Sequence, residues 1–153
     1  MGDGAVVIGV GNPERGDDGA GPEVIRRLGS MTRHGMRLVA TTGSDPATII
    51  DAWAEADTAI VVDAMISGAA PGSVTRFDLT QDPLPSAVRL VSTHALGATT
   101  AVELARALGR LPGRLIVYGI EAGTMGDGSG LSPPVSAAVD AAVRMILEET
   151  DGA

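Results

Sequence analysis

The chain has 153 residues, the size of one domain, and sets eleven Lys and Arg against nineteen Asp and Glu for a formal net charge of −8. So acidic a chain repels phosphodiester backbones, and Trp53, Tyr118 and Phe77 are its only rings for bases to stack on, which argues against nucleic-acid binding. It has no cysteine, which removes disulfides, thiolate metal sites and thiol nucleophiles together.

A fold of this length buries roughly 68–70% of the surface its unfolded chain exposes, so one self-sufficient domain over residues 1–153 is expected. Its core must come from Ala, Val, Leu and Ile. The longest apolar runs, such as "AIVV" at 59–62, fall far short of the ~20 residues that span a bilayer. The start "MGDGAVV" is acidic rather than basic, unlike a secretory signal. A cytoplasmic monomer with no membrane association is the expectation.

Taken in chain order, short β-rich runs alternate with helical stripes. Ala5–Val10 is a continuous apolar strand of the kind buried on both faces of a parallel sheet. Pro22 suits the first turn of a helix whose stripe is Val24, Ile25 and Leu28. Met36–Ala40 reads as a second strand, and Pro46 opens a helix carrying Ile49, Ile50 and Trp53. "TAIVVD" at 58–63 is a third strand that ends on a carboxylate.

"SVTRFDL" at 73–79 alternates instead, and too few residues separate it from the third strand for a helical crossover. It should run antiparallel at an edge. Residues 95–108 form a helix with Leu96, Val102, Ala105 and Leu108 on the buried side, and "RLIVYGIE" at 114–121 is another buried strand. Ser132 caps the last helix and Pro133 opens it. Val135, Ala138, Val139, Ala142, Val143, Ile146 and Leu147 then keep helical spacing. The fold class is a three-layer α/β domain, with a twisted, mostly parallel sheet, one antiparallel edge strand and helices on both faces.

The first strand feeds the loop "GVGNPERGDDGAG" at 9–21. A dinucleotide fingerprint needs glycine where Glu14 stands, and a P-loop needs lysine where Asp17 stands. A carboxylate pair also reverses the sign a phosphate site requires. Asp17 and Asp18 read either as an acidic pair favoured at a helix N-terminus, or as side chains that five loop glycines hold toward a crevice.

Ligands of open α/β sheets bind outside the carboxyl ends of the parallel strands. Three groups are placed there by this reading: Asp18 after the first strand, Asp63 closing the third, and His94 in "STHALG" at the start of a helix. A helix N-terminus disfavours imidazolium, so His94 would stay neutral and able to donate a lone pair. Singly, Asp63 also reads as a cap or ion-pair partner and His94 as a loop histidine. Together they form an O,O,N set suited to Ni²⁺, Zn²⁺, Mn²⁺ or Fe²⁺. His34, in "MTRHGM", is placed at the surface.

"GVGNPERGDDGAG", "VVDAMISGAAPG", "STHALG" and "YGIEAG…GLSPPV" resemble, in order and over nearly the whole chain, the motifs of the hydrogenase maturation proteases. These endopeptidases trim the C-terminus of the nickel-iron hydrogenase large subunit. The resemblance implies a twisted, mostly parallel sheet between helices, of the phosphorylase/hydrolase-like kind. It also implies a metal-binding trio at Asp18, Asp63 and His94. The nickel is supplied by the large-subunit precursor, with zinc or cadmium as ions able to substitute. Members are thought to sense inserted nickel and then cut a short C-terminal extension, so that the large subunit closes over its active site.

Two departures stand out. Some relatives carry Glu where this chain has Asp18, and many show Asp-Gly-Gly followed by Thr or Ser where this chain has "TTGS" at 41–44, which leaves substrate grip open. With neither a cysteine nor a serine in a nucleophile elbow, hydrolysis by activated water is expected. Either the metal or a carboxylate such as Asp17 would act on the water. The alternatives are a nickel-sensing chaperone that binds the precursor without cutting it, and a metal-independent acid-type endopeptidase on the same fold.

Overall fold

The computed structural model describes residues 4–31, 36–42, 45–90, 98–126 and 128–151. Three apolar runs become the centre of one sheet: β1 (Ala5–Val10), β3 (Thr58–Ile66) and β6 (Arg114–Glu121). They lie side by side and parallel, with β2 (Met36–Thr41) parallel at one edge and β4 (Val74–Asp78) antiparallel at the other, in the order β2-β1-β3-β6-β4. The antiparallel edge strand stands where its alternation placed it.

Because β1, β3 and β6 are covered on both faces, almost every residue in them is buried. Helices α2 (Pro46–Trp53) and α3 (Ala98–Leu108) pack Ile49, Trp53, Ala98, Ala101 and Ala105 against Val6, Ile8, Val61 and Val117. On the other face, α1 (Ala20–Gly29) and α4 (Pro133–Asp151) set Val24, Leu28, Val139 and Ile146 over Val7, Ile60, Ile116 and Tyr118. Many of the contact residues are alanines, which brings the helix axes close to the sheet.

Glycine decides one approach. A methyl group on Gly21, in the first turn of α1, would lie 2.5–2.7 Å from the Val62 and Val10 carbonyl oxygens and the Val10 nitrogen, and one on Gly9 would overlap the Gly21 carbonyl. The start of α1 therefore lies directly on the ends of β1 and β3.

Three details differ from the sequence reading. Strand β3 does not end on Asp63 as expected but runs on through Ile66, where a two-residue strand β5 (Arg89–Leu90) pairs antiparallel with it; two residues carry no periodic signal. Leu108, expected inside, is 57% exposed because the last turn of α3 runs past the covered area. Ser132 precedes α4 as expected, and its carbonyl accepts the Ser136 N–H, but its hydroxyl is given to Asp17. Leu96 and His34 lie outside the described residues. Among those described, no helix is long and apolar enough to cross a membrane.

Helix α4 is tied to the sheet by a partly exposed ion cluster around Glu149. Glu149 accepts from Arg76 Nε at 2.7 Å and Nη2 at 3.0 Å, Arg114 Nη2 at 2.7 Å and Tyr118 Oη at 2.7 Å. Hydrogen bonding from Arg76, supported by Tyr118 and Arg114 against the opposing effect of burial, brings the Glu149 carboxyl down to about 2. Burial, then Glu149, pushes Tyr118 up to about 12. The ionised carboxylate stabilises the fold fully above the unfolded value of 4.5, and this stabilisation is lost as pH falls toward about 2. Glu149→Gln should thus lower unfolding free energy by about 1–3 kcal/mol at neutral pH. Urea titrations at descending pH should show the gap to the parent protein closing below 4.5.

Candidate active site

The carboxyl end of β1 stands level with residues inside β3 and β6, both of which run on past it. Val10 of β1 pairs in register with Asp63 of β3, which pairs with Gly119 of β6. Asp63 is fully buried and, by the alternation of strand side chains, falls on the same face as Val61 and Met65, toward α2 and α3. Gly119 leaves room for the Met65 side chain, which lies across it.

Beyond Val10 the chain enters the glycine loop. Gly11 donates its N–H to the Thr41 carbonyl at 3.0 Å, and the loop closes in a 3-10 turn over Gly16–Gly19 that packs against β3 and α1. Asp18 lies in that turn, 6% exposed. Its Oδ2 accepts the Asn12 N–H at 3.3 Å, and a methyl on Gly11 would stand 3.3 Å from Oδ1. The Asp18 carboxylate is therefore folded back over the residue that follows Val10, the register partner of Asp63. Two of the three expected ligands thus lie at the level where β1 ends, Asp63 inside β3 and Asp18 in the loop beyond β1.

His94 lies outside the described residues, in 91–97. Leu90 and Ala98, on either side of that segment, pack in the cluster that holds Met65. Among the described residues no group of three potential ligands occurs. Two buried carboxylates are hard oxygen donors that suit part of a divalent ion's coordination, and an imidazole would complete the O,O,N set.

Asp17 does something else. Its side chain is fully buried, and both oxygens are taken up. Oδ2 accepts from Gly123 N–H at 2.8 Å, Thr124 N–H at 2.7 Å and Ser132 Oγ at 2.8 Å, and Oδ1 accepts from Ser132 N–H at 2.7 Å. Burial pushes its pKa up, but the N–H groups of Thr124 and Ser132, the Ser132 hydroxyl and the Gly123 N–H outweigh burial and hold it below the usual carboxylate range. A carboxylate held ionised and aimed into the 123–132 loop is a poor base, so the part expected of Asp17 in activating water does not suit its surroundings.

The rim holds one acid to which sequence reasoning gave no role. Glu121, at the end of β6 and 3% exposed, accepts from Ser67 N–H at 3.0 Å and Ser67 Oγ at 2.6 Å. It ties the connection after β3 to the end of β6. The signal was the one that marked Asp63, an acid directly after an apolar run, but nothing local names Ser67 as its partner.

A family model described as hydrogenase maturation protease matches residues 22–149. Hydrogenase expression/formation protein HupD of Thiocapsa roseopersicina is 27% identical over 148 residues, which cover 94% of this chain and 66% of that protein. The chain thus spans just under two thirds of that relative's length. The coenzyme F420 hydrogenase subunit delta of Methanothermobacter thermautotrophicus is 30% identical over 156 residues, covering 94% of this chain and 92% of its own. Among solved structures, the [NiFe] hydrogenase maturation protease HybD from Thermococcus kodakarensis superposes with a TM-score of 0.77 at 25% identity, over 96% of this chain and 99% of that one.

Crowding at the glycine loop gives a direct check on the site geometry. A methyl at Gly11, whose φ is 149°, would overlap the Asp18 carbonyl oxygen. Gly11→Ala should destabilise the protein by about 2–4 kcal/mol in urea unfolding. Gly126→Ala, where a methyl meets open space, should stay within about 0.5 kcal/mol.

Proposed function

The chain belongs to the hydrogenase maturation protease family, and on that premise we propose that it removes the C-terminal extension of a nickel-iron hydrogenase large-subunit precursor once nickel is in place. In this reading it works as a monomer in the cytoplasm and uses nickel to recognise its substrate. Asp18, Asp63 and His94 grasp the nickel that the precursor presents, which sets the scissile bond beside the rim of the sheet. The observation that carries the reading is the pair of buried carboxylates, Asp18 in the loop that follows β1 and Asp63 inside β3 opposite the end of β1.

The chemistry follows from burial. A carboxylate removed from water interacts far more strongly with a cation than one in solvent, so a buried pair rewards the arrival of a divalent ion. A precursor lacking nickel would offer these buried oxygens no cation, and would be held weakly. Water attacking the peptide carbonyl needs polarisation of that carbonyl and a group to take its proton. Asp17, whose lone pairs are occupied by Gly123, Thr124 and Ser132, is poorly suited to the second task.

Candidate precursors incubated with the protein, with and without nickel, test this directly, with the mass of the large subunit as the readout. A shortened C-terminus that appears only with nickel-loaded precursor is expected. A bound but uncut precursor would favour a chaperone, and equal cleavage of nickel-free precursor would favour an acid-type endopeptidase. Asp18→Asn, Asp63→Asn and His94→Ala should each lower processing by about 10²–10³-fold, the scale of losing one preorganised electrostatic contact at a reacting centre, while far-UV circular dichroism stays near that of the parent. Processing left intact in all three would end the assignment of these residues.

A further inference from the structure

The four hydrogen bonds to Asp17 belong to a larger seam. The Asp17 N–H donates to the Thr124 carbonyl at 2.8 Å, the Gly16 N–H to the Gly128 carbonyl at 2.9 Å, and the Gly128 N–H to the Glu14 carbonyl at 2.9 Å. Gly16 has φ 58°, and a methyl there would press to 2.7 Å on the Thr124 carbonyl, so the two loops meet backbone to backbone. The partners of the Asp17 carboxylate lie 106, 107 and 115 residues away in sequence. A buried charge that collects four donors from so distant a segment does more than cap a helix.

We propose that Asp17 is a positioning residue: by locking residues 14–17 to the 123–132 loop, it fixes the direction in which its neighbour Asp18 faces the Asp63 rim, and so sets the grip on a divalent cation. The geometry is that of the 3-10 turn. Successive side chains in such a turn point about 120° apart. With Asp17 clamped into the 123–132 loop, Asp18 is turned toward Asn12 and Gly11, where its Oδ2 meets the Asn12 N–H. Were Asp17 released, the turn could rotate as a unit and carry Asp18 off the end of β1. The loop of residues 123–132 thereby acts on the cation site without supplying a ligand.

This inference rests on the reading of Asp18 and Asp63 as cation-gripping residues, and the test separates the two. Nickel chloride alone is titrated calorimetrically into the full chain and into Asp17→Asn, Ser132→Ala, Asp18→Asn and Glu149→Gln. Circular dichroism and urea midpoints are recorded for each. Asp17→Asn should weaken nickel binding by about tenfold to a hundredfold, the usual cost of losing a group that orients a ligand. Ser132→Ala, which removes one donor from Oδ2, should show a smaller loss in the same direction. Glu149→Gln, destabilised far from the rim, should bind nickel like the parent, so lower stability alone does not explain the effect.

Folded Asp17→Asn with the parent's nickel affinity, beside a weakened Asp18→Asn, would overturn the positioning role alone. Should Asp17→Asn not fold, Ser132→Ala decides, and an affinity equal to the parent's overturns the role. A parent chain that takes up no nickel, or an Asp18→Asn chain that loses none, removes the cation site and this inference with it.

Discussion

Everything at the rim depends on how closely the first turn of α1 lies against the sheet. Gly21 touches the backbone of Val10 and Val62 with no room for a side chain, and Gly9 touches Gly21 from the strand side. That contact fixes the distance the glycine loop must bridge between β1 and α1. The loop therefore closes as a short 3-10 turn rather than a wide excursion, which draws Asp18 back over the end of β1. A larger residue at either glycine would lift the helix and widen the loop. The carboxylate would then have no fixed relation to Asp63.

Four buried acids near this rim show how surroundings divide labour among carboxylates. Asp17 is saturated with backbone and hydroxyl donors, and holds two loops together. Glu121 is engaged by Ser67 and holds the end of β6 to the chain that leaves β3. Asp18 is folded back over the end of β1, and Asp63 lies inside β3 opposite that end. The packing of the 3-10 turn against β3 and α1 accounts for the burial of Asp18, and the covered sheet for that of Asp63.

The order of strands and helices was legible because β1, β3 and β6 are covered on both faces and so spell continuous apolar runs. The alternation of Val74–Asp78 likewise announced an edge strand. Strand β5 was invisible, since two residues have no period, and Leu108 kept helical spacing beyond the point where the helix leaves its neighbours. Near the rim, the place of Asp63 in the third strand was legible from its apolar run, though not that the strand continues past it, and the place of Asp18 in the loop from the glycines around it. The clamp at Asp17 was not, because its partners are mostly backbone N–H groups more than a hundred residues away, and backbone groups leave no mark in a sequence. Ser132 was read as a helix cap for the same reason.

The scarcity of aromatic residues has an optical outcome. Trp53 is the sole indole, 1% exposed, packed in the α2–α3 layer with its Nε1–H given to the Arg110 carbonyl. Excited where tyrosine does not absorb, it reports on one layer of the sandwich, while Tyr118, on the side of α1 and α4, stays dark. Loosening confined to the side of the sheet that Asp63 faces would register as a red shift from a single fluorophore with no second source to disentangle.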